Sequence, residues 1–224
     1  MISDNLRKVR QELQNSCALV SRNKEEVTLI GVTKSVDLEK TIELANLGVL
    51  DIAENRVGPF LAKKAEMQDF SKIRWHFIGN LQRRKVKSVI NEIDYFHALD
   101  SLNLAKEIQK RANHCISCFV EVNISGERTK QGILPDELEN FINELQFYDK
   151  ICVVGLMTMA PKYSTEKQQH QIFGQLKSLQ VEIAKKELSY ALCTQTSMGM
   201  TNDFPIAVQE GATYIRIGTA LFKE

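Results

Sequence analysis

The sequence predicts a single (β/α)8 TIM-type barrel with one extra helix at its N-terminus. Three observations lead there. Eight short runs rich in β-branched and aromatic residues recur along the chain, and each is followed by a longer segment of helical character. No low-complexity stretch, Pro/Gly-rich linker or short repeat divides the 224 residues, and 4 prolines leave little material for a domain boundary, so one domain spanning 1–224 is expected. Parallel neighbouring strands need helical crossovers, and eight is the number that closes such a sheet. If a weak run such as 94–98 is not a strand, an open sheet of six or seven strands follows instead.

The elements run in order. A helix over about 3–21 opens the chain. The strands are 27–33 (VTLIGVT), 49–53 (VLDIA), 73–78 (IRWHFI), 94–98 (DYFHA), 117–123 (SCFVEVN), 151–157 (ICVVGLM), 190–196 (YALCTQT) and 213–217 (TYIRI). Between and after them lie helices at 37–47, 57–69, 81–91, 101–113, 135–147, 164–187 and 203–210. Asp37, Ser101 and Pro135 each stand where a helix should start. Alternation within the strands sets Phe119, Glu121 and Asn123 on one face and Cys118, Val120 and Val122 on the other. Lys34 is in phase with Thr28, Ile30 and Val32, while Tyr214 and Arg216 oppose Thr213, Ile215 and Ile217. Polar groups therefore collect on one face and at strand ends, where barrel enzymes keep their chemistry.

Composition narrows the function. Hydrophobic content of 43% and charged content of 25% are those of a soluble globular chain. A net charge of +1 gives no reason to expect nucleic-acid binding. No apolar run is long enough to span a membrane, and the charged start lacks a signal-peptide core, so a cytoplasmic location is expected. The cysteines number 5, an odd count, mostly in apolar settings, which suits reduced, buried thiols. The Cys115–Cys118 C-x-x-C pattern leads into a strand, where positions three apart face opposite ways, and no second pair completes a metal site.

The chemistry gathers at two places. SMGMTN (197–202) follows the seventh strand and Gly218-Thr219 follows the eighth, the loops with which barrels commonly bind phosphate. Gly199 and Gly218 would let backbone N–H groups approach an anion, with the Ser197 and Thr219 hydroxyls completing a cradle; two ordinary glycine turns fit the same spacing. Lys34 tops the first strand, next to the eighth in a closed barrel. A lysine there is either a solvated strand-end residue or an amine that forms a Schiff base. A phosphate-bearing aldehyde would reach both places, which is the geometry of pyridoxal 5′-phosphate (PLP).

Together with VTKS (32–35), the strings AENRV (53–57), WHFIGNLQ (75–82), VNISGERTKQGI (122–133), GLMTMAP (155–161), SMGMTNDFPIAVQEGAT (197–213) and YIRIGTALF (214–222) closely resemble the YggS/PROSC family of PLP-binding, pyridoxal phosphate homeostasis proteins. The resemblance implies a fold similar to the N-terminal barrel of alanine racemase, with PLP as cofactor. It implies that Lys34 holds PLP as a Schiff base. Ser197, Met198, Gly199, Gly218 and Thr219 match the phosphate-binding segments, Arg216 matches the residue facing the pyridine nitrogen, and Asn55, His76 and Asn123 fall in pocket-lining motifs. An arginine is always charged and cannot take a proton from the ring, so the electron sink would be weak. The similar racemases also add a second, β-rich domain with an acid/base tyrosine, for which the eight-unit pattern leaves no room. The expectation is a monomeric, non-catalytic PLP carrier whose partners are PLP and PLP-requiring apo-enzymes. A weak racemase-like enzyme and a PLP-free sugar-phosphate barrel are the alternatives. Lys130, in the loop after the fifth strand, is either a solvated lysine or an amine that takes the cofactor during transfer.

Overall fold

The structure, a computed structural model, describes residues 1–127 and 129–223. Arg128, within VNISGERTKQGI, and Glu224, at the chain end, lie outside the described residues. After α1 (Ile2–Leu19) come eight strand–helix units: β1 (Thr28–Val32), α2 (Leu38–Asn46), β2 (Asp51–Glu54), α3 (Val57–Glu66), β3 (Arg74–Phe77), α4 (Arg83–Val89), β4 (Tyr95–Leu99), α5 (Leu102–Arg111), β5 (Ile116–Glu121), α6 (Leu138–Glu144), β6 (Ile151–Met157), α7 (Glu166–Ala184), β7 (Gln195–Ser197), α8 (Phe204–Gln209), β8 (Tyr214–Ile217) and a last turn, α9 (Thr219–Phe222). Every strand pairs in parallel with the next, and β8 returns to β1, so the sheet is closed. The weak 94–98 run is a strand, which removes the open-sheet alternative. Asn5 Nδ2 on α1 donates to the carbonyls of Leu221 and Lys223, at 3.1 and 2.8 Å, tying the extra helix to the chain end.

Local signals explain most boundaries. The Asp37 carboxylate accepts from Lys40 N–H at 2.9 Å and the Ser101 hydroxyl from Leu104 N–H at 3.4 Å, each satisfying an orphan donor of a first helical turn. Pro135 does not open its helix. Ile133 is held beside β5, donating to the Glu121 carbonyl at 2.8 Å and accepting from Asn123 N–H at 2.9 Å. The chain therefore turns through 135–137 before α6 begins at Leu138. The seventh strand is also shorter than 190–196, because Cys193 adopts a left-handed φ of 48° and its carbonyl is taken by Gln180 Nε2 at 2.6 Å. Only Gln195–Ser197 pairs as a ladder with β6.

The cysteine expectation needs correction. Cys115 and Cys152, at the N-terminal ends of the neighbouring strands β5 and β6, form a disulfide; Ser117 lies opposite Cys152 in the register. Cys17, Cys118 and Cys193 are free and buried, as expected of small apolar side chains. Spacing along the chain could not show this pair, because the parallel register brings the two together across a sequence separation of 37. Cross-linking a loop of that size restricts the unfolded chain by about 4 kcal/mol in the chain-entropy description. Cys115→Ser should lower unfolding stability by that order in a urea titration under non-reducing conditions. Unchanged stability would show that the two thiols are not linked.

Inside the barrel the filling is aromatic and polar where branched aliphatics are the usual choice. Register places Ile30 level with Arg216 and Asp51, so β1 points Ile30 and Val32 inward in phase with Lys34. His76 stacks on Tyr95 with centroids 4.6 Å apart, and His97 on Phe119 at 4.4 Å. Tyr214 meets Phe119 edge-on at 5.4 Å. The outer strand faces, with Ile52, Phe77, Phe96, Val120 and Ile215, bury against the helices.

Candidate cofactor site

A cavity of about 660 Å³ opens at the C-terminal ends of the strands. Its wall includes six of the ten residues that the resemblance places at the cofactor: Lys34, Asn55, Asn123, Arg216, Gly218 and Thr219. Lys34 sits in the turn two residues past β1 and is exposed to the cavity. β1–β8 pairing brings Val32 beside Gly218, where an added Cβ would lie 3.2 Å from the Val32 carbonyl oxygen. Closure of the barrel thus places a reactive amine next to the loop after β8.

The remaining four are not on the wall. His76 and Ser197 are fully buried inside the barrel below it. Met198 follows the last residue of β7, so it faces the opposite way and packs into the outer core. Gly199 is buried with φ 90°; a Cβ there would lie 2.6 Å from that of Ala207, so its constraint is the close approach of α8. Ser197 faces the barrel interior. Its oxygen accepts from Arg216 Nη1 at 2.6 Å and is 2.9 Å from His97 Nδ1.

The same SMGMTN segment also brings Thr201, which reading single residues from the sequence passed over. Thr201 lines the cavity, and its Oγ1 accepts from Ala220 N–H at 3.2 Å. The hydroxyl proton is then free to donate into the cavity. With Gly218 and Thr219 at the start of α9, it makes a patch of neutral donors on the β7–β8 side.

Arg216 forms the floor, only 4% exposed, with Nη2 donating to the Thr158 carbonyl at 3.0 Å. Burial lowers its pKa to about 10, opposed by the negative charges of Asp203 and Glu121, and it stays cationic at neutral pH. Glu121 shares the wall and is 6% exposed. Burial pushes its carboxyl up to about 7; Asp100 adds to this and Arg216 opposes it. Alternation had placed Glu121 on the polar face, but its proximity to Asp100 and Arg216 is tertiary.

Behind Lys34 lies a second charged group. Lys63 Nζ donates to Glu54 Oε1 at 2.6 Å and to the Thr33 carbonyl at 2.7 Å, while Thr33 Oγ1 donates to the same Glu54 oxygen at 2.7 Å. These bonds fix the peptide preceding Lys34. Lys130 also reaches the cavity wall, its Nζ 3.5 Å from the Met159 carbonyl and 3.6 Å from Glu127. Among the described residues no cluster of His, Cys, Asp and Glu could hold a metal ion, and no helix is long and apolar enough to cross a membrane.

A closed eight-stranded parallel barrel with a lysine at the end of β1 and an arginine on β8 defines the class: the alanine racemase N-terminal domain, whose family model matches residues 1–224. The fold is shared with the alanine racemase of Corynebacterium glutamicum at a TM-score of 0.72 and 13% identity, covering 100% of this chain and 61% of that one. Within that class the chain belongs to the pyridoxal phosphate homeostasis protein (YggS) family. It is 38% identical over 224 residues to the pyridoxal phosphate homeostasis protein of Aquifex aeolicus, covering 99% of this chain and 97% of the relative. PipY of Synechococcus elongatus PCC7942, solved with PLP bound, superposes with a TM-score of 0.84 at 29% identity, covering 99% and 100% of the two chains.

The raised pKa of Glu121 has a consequence for stability. A carboxyl whose folded pKa exceeds its ordinary value of 4.5 adds stability below that value, and the contribution is lost as pH rises towards about 7. Glu121→Gln should therefore be more stable than the parent at pH 8, by on the order of 1–3 kcal/mol, and indistinguishable at pH 4.5. Denaturant titrations at the two pH values check this, and an equal effect at both would place the carboxyl's titration outside this range.

Proposed function

We propose that this chain binds PLP in the cavity at the barrel mouth through Lys34 and serves PLP homeostasis or delivery without substantial turnover of its own. The observation that carries the reading is the convergence of three unlike groups on one cavity: the Lys34 amine, the buried Arg216 guanidinium, and the donor patch of Thr201, Gly218 and Thr219. Each answers one part of the cofactor, and the donor set fits it. When bound, PLP supplies an aldehyde that condenses reversibly with amines, a phosphate anion and a basic ring nitrogen.

Lys34 is free for the aldehyde, because it stands in a turn whose preceding peptide is fixed by Lys63 and Glu54. Thr201 and Thr219 would donate hydroxyl hydrogen bonds to the phosphate, and Gly218 lets the backbone come close. Arg216 would donate to the ring nitrogen and, being a permanent cation, would not yield a proton to it. That arrangement favours holding the cofactor over using it as an electron sink. Lys130 puts a second amine on the same wall, suited to receiving the cofactor as it leaves. A weak racemase-like activity is the second reading, favoured by one observation: Glu121 is a carboxyl poised near neutrality in the same cavity. Assays of both alanine enantiomers separate the two.

Lys34→Ala should abolish the borohydride-trappable chromophore of the protein incubated with PLP. Efficient trapping on another lysine would overturn the assignment. Thr201→Val combined with Thr219→Val should weaken PLP binding by at least about tenfold, since each removes a charge-assisted hydrogen bond, while leaving thermal unfolding in place. Undiminished affinity in the double variant would move the phosphate elsewhere.

A further inference from the structure

A continuous line of hydrogen bonds crosses the barrel interior from its N-terminal end to the cavity floor. Arg74 Nη2 donates to Asp51 Oδ2 at 2.6 Å, and its side chain is 49% exposed at the N-terminal end. Asp51 Oδ1 is 2.9 Å from His76 Nε2, His76 Nδ1 is 2.9 Å from His97 Nε2, and His97 Nδ1 is 2.9 Å from Ser197 Oγ. Arg216 Nη1 closes the line on Ser197 at 2.6 Å. Both imidazoles are completely buried.

The direction of every proton in this line follows from its ends. Asp51 is ionised: burial alone would raise its pKa, but the hydrogen bonds of His76 and Arg74 outweigh that and hold it below the usual range. An ionised carboxylate only accepts, so His76 carries its proton on Nε2. Burial lowers the pKa of both rings, for His97 with added repulsion from His76 and Arg216, so each ring is neutral and holds one proton. His76 Nδ1 is then a bare acceptor, His97 must donate from Nε2, and His97 Nδ1 must accept the Ser197 hydroxyl proton. Ser197 is left with lone pairs for Arg216, which can only donate. One assignment satisfies every pair.

We infer that Asp51 is a positioning residue for Arg216, acting through His76, His97 and Ser197 by fixing which way their protons point. Its consequence for the cofactor rests on the PLP reading above; its consequence for the histidines does not. In the Asp51→Asn variant, Arg74 keeps the side-chain oxygen because it has only donors to offer, which turns the amide NH2 towards His76. His76 must then bear its proton on Nδ1 and accept on Nε2, and His97 does the same. No proton is gained or lost, since each ring moves one proton from Nε2 to Nδ1. Ser197 now receives from both His97 and Arg216, its own proton is left without its partner, and its oxygen becomes a poorer acceptor for the guanidinium.

The test is nitrogen-15 NMR of the histidine side chains in the full-length protein, with PLP affinity measured alongside. The parent should show Nε2–H and bare Nδ1 in both His76 and His97. An Nδ1–H ring or an imidazolium in either at pH 7 would overturn the inference. Asp51→Asn should exchange the tautomers of both rings and weaken PLP binding about tenfold, one hydrogen bond's worth. A change at His76 that stops before His97 would overturn it, and so would a full exchange with unaltered PLP affinity. If Asp51→Asn does not fold, Ser197→Ala serves: the His97 Nδ1 resonance should move to that of an unpartnered nitrogen while His76 stays put. No movement of His97 would again overturn the proposal. Failure of the parent to bind PLP at all would strike only the cofactor reading and leave the tautomer result standing.

Discussion

A guanidinium that cannot lose its proton, buried beneath a cavity, constrains everything around it. Arg216 is 4% exposed, and burying such a charge without partners costs several kcal/mol. The barrel answers with fixed acceptors, a carbonyl from the end of β6 and a hydroxyl from the end of β7, and with negative charge at Asp203 and Glu121. The hydroxyl is in turn held by His97, and the line of dependence runs down to Asp51 and Arg74. This accounts for the two imidazoles in the interior. A purely aliphatic filling would leave the Ser197 hydroxyl proton without its acceptor, His97 Nδ1.

The same cation also sets the electrostatics of the cavity. Glu121 and Asp203 both line it and both feel Arg216, yet burial dominates and raises their pKa values. Glu121, raised to about 7, carries less negative charge near neutrality than its residue type suggests, so an anionic, phosphate-bearing ligand meets less repulsion there. On the β7–β8 side the donors are the neutral hydroxyls of Thr201 and Thr219, while the amines of Lys34, Lys130 and Lys162 stand elsewhere on the wall.

Rigidity around Lys34 has a separate source. Glu54 and Lys63 form an ion pair that is nearly inaccessible to water, and Lys63 also caps the Thr33 carbonyl. Among the described buried side-chain atoms, Glu54 Oε2 is left without a hydrogen-bond partner. Breaking such a pair leaves an uncompensated buried charge, so the peptide leading into Lys34 is held firmly. The lysine side chain itself remains exposed to the cavity, which joins a fixed backbone to an accessible amine.

Period and alternation are local properties, and they carried the eight strands, the helix starts at Asp37 and Ser101, and the inward phase of Lys34, Glu121, Asn123 and Arg216. The motifs VTKS and YIRIGTALF carried the family, and with it Lys34, Gly218 and Thr219 on the cavity wall. What the sequence could not contain is anything that depends on which strand lies beside which at what height. The Cys115–Cys152 pair exists because β5 and β6 are in parallel register, and Pro135 lost its helix start because Ile133 is held against β5. Ser197 is expected near the phosphate because it stands in a glycine-bearing loop after the seventh strand. Only closure of the barrel showed it facing Arg216 and His97, with Thr201 left to face the cavity. Side-chain type and spacing fix which face a residue occupies, whereas the partner it meets there is set by strand stagger around the closed sheet, a quantity no single segment encodes.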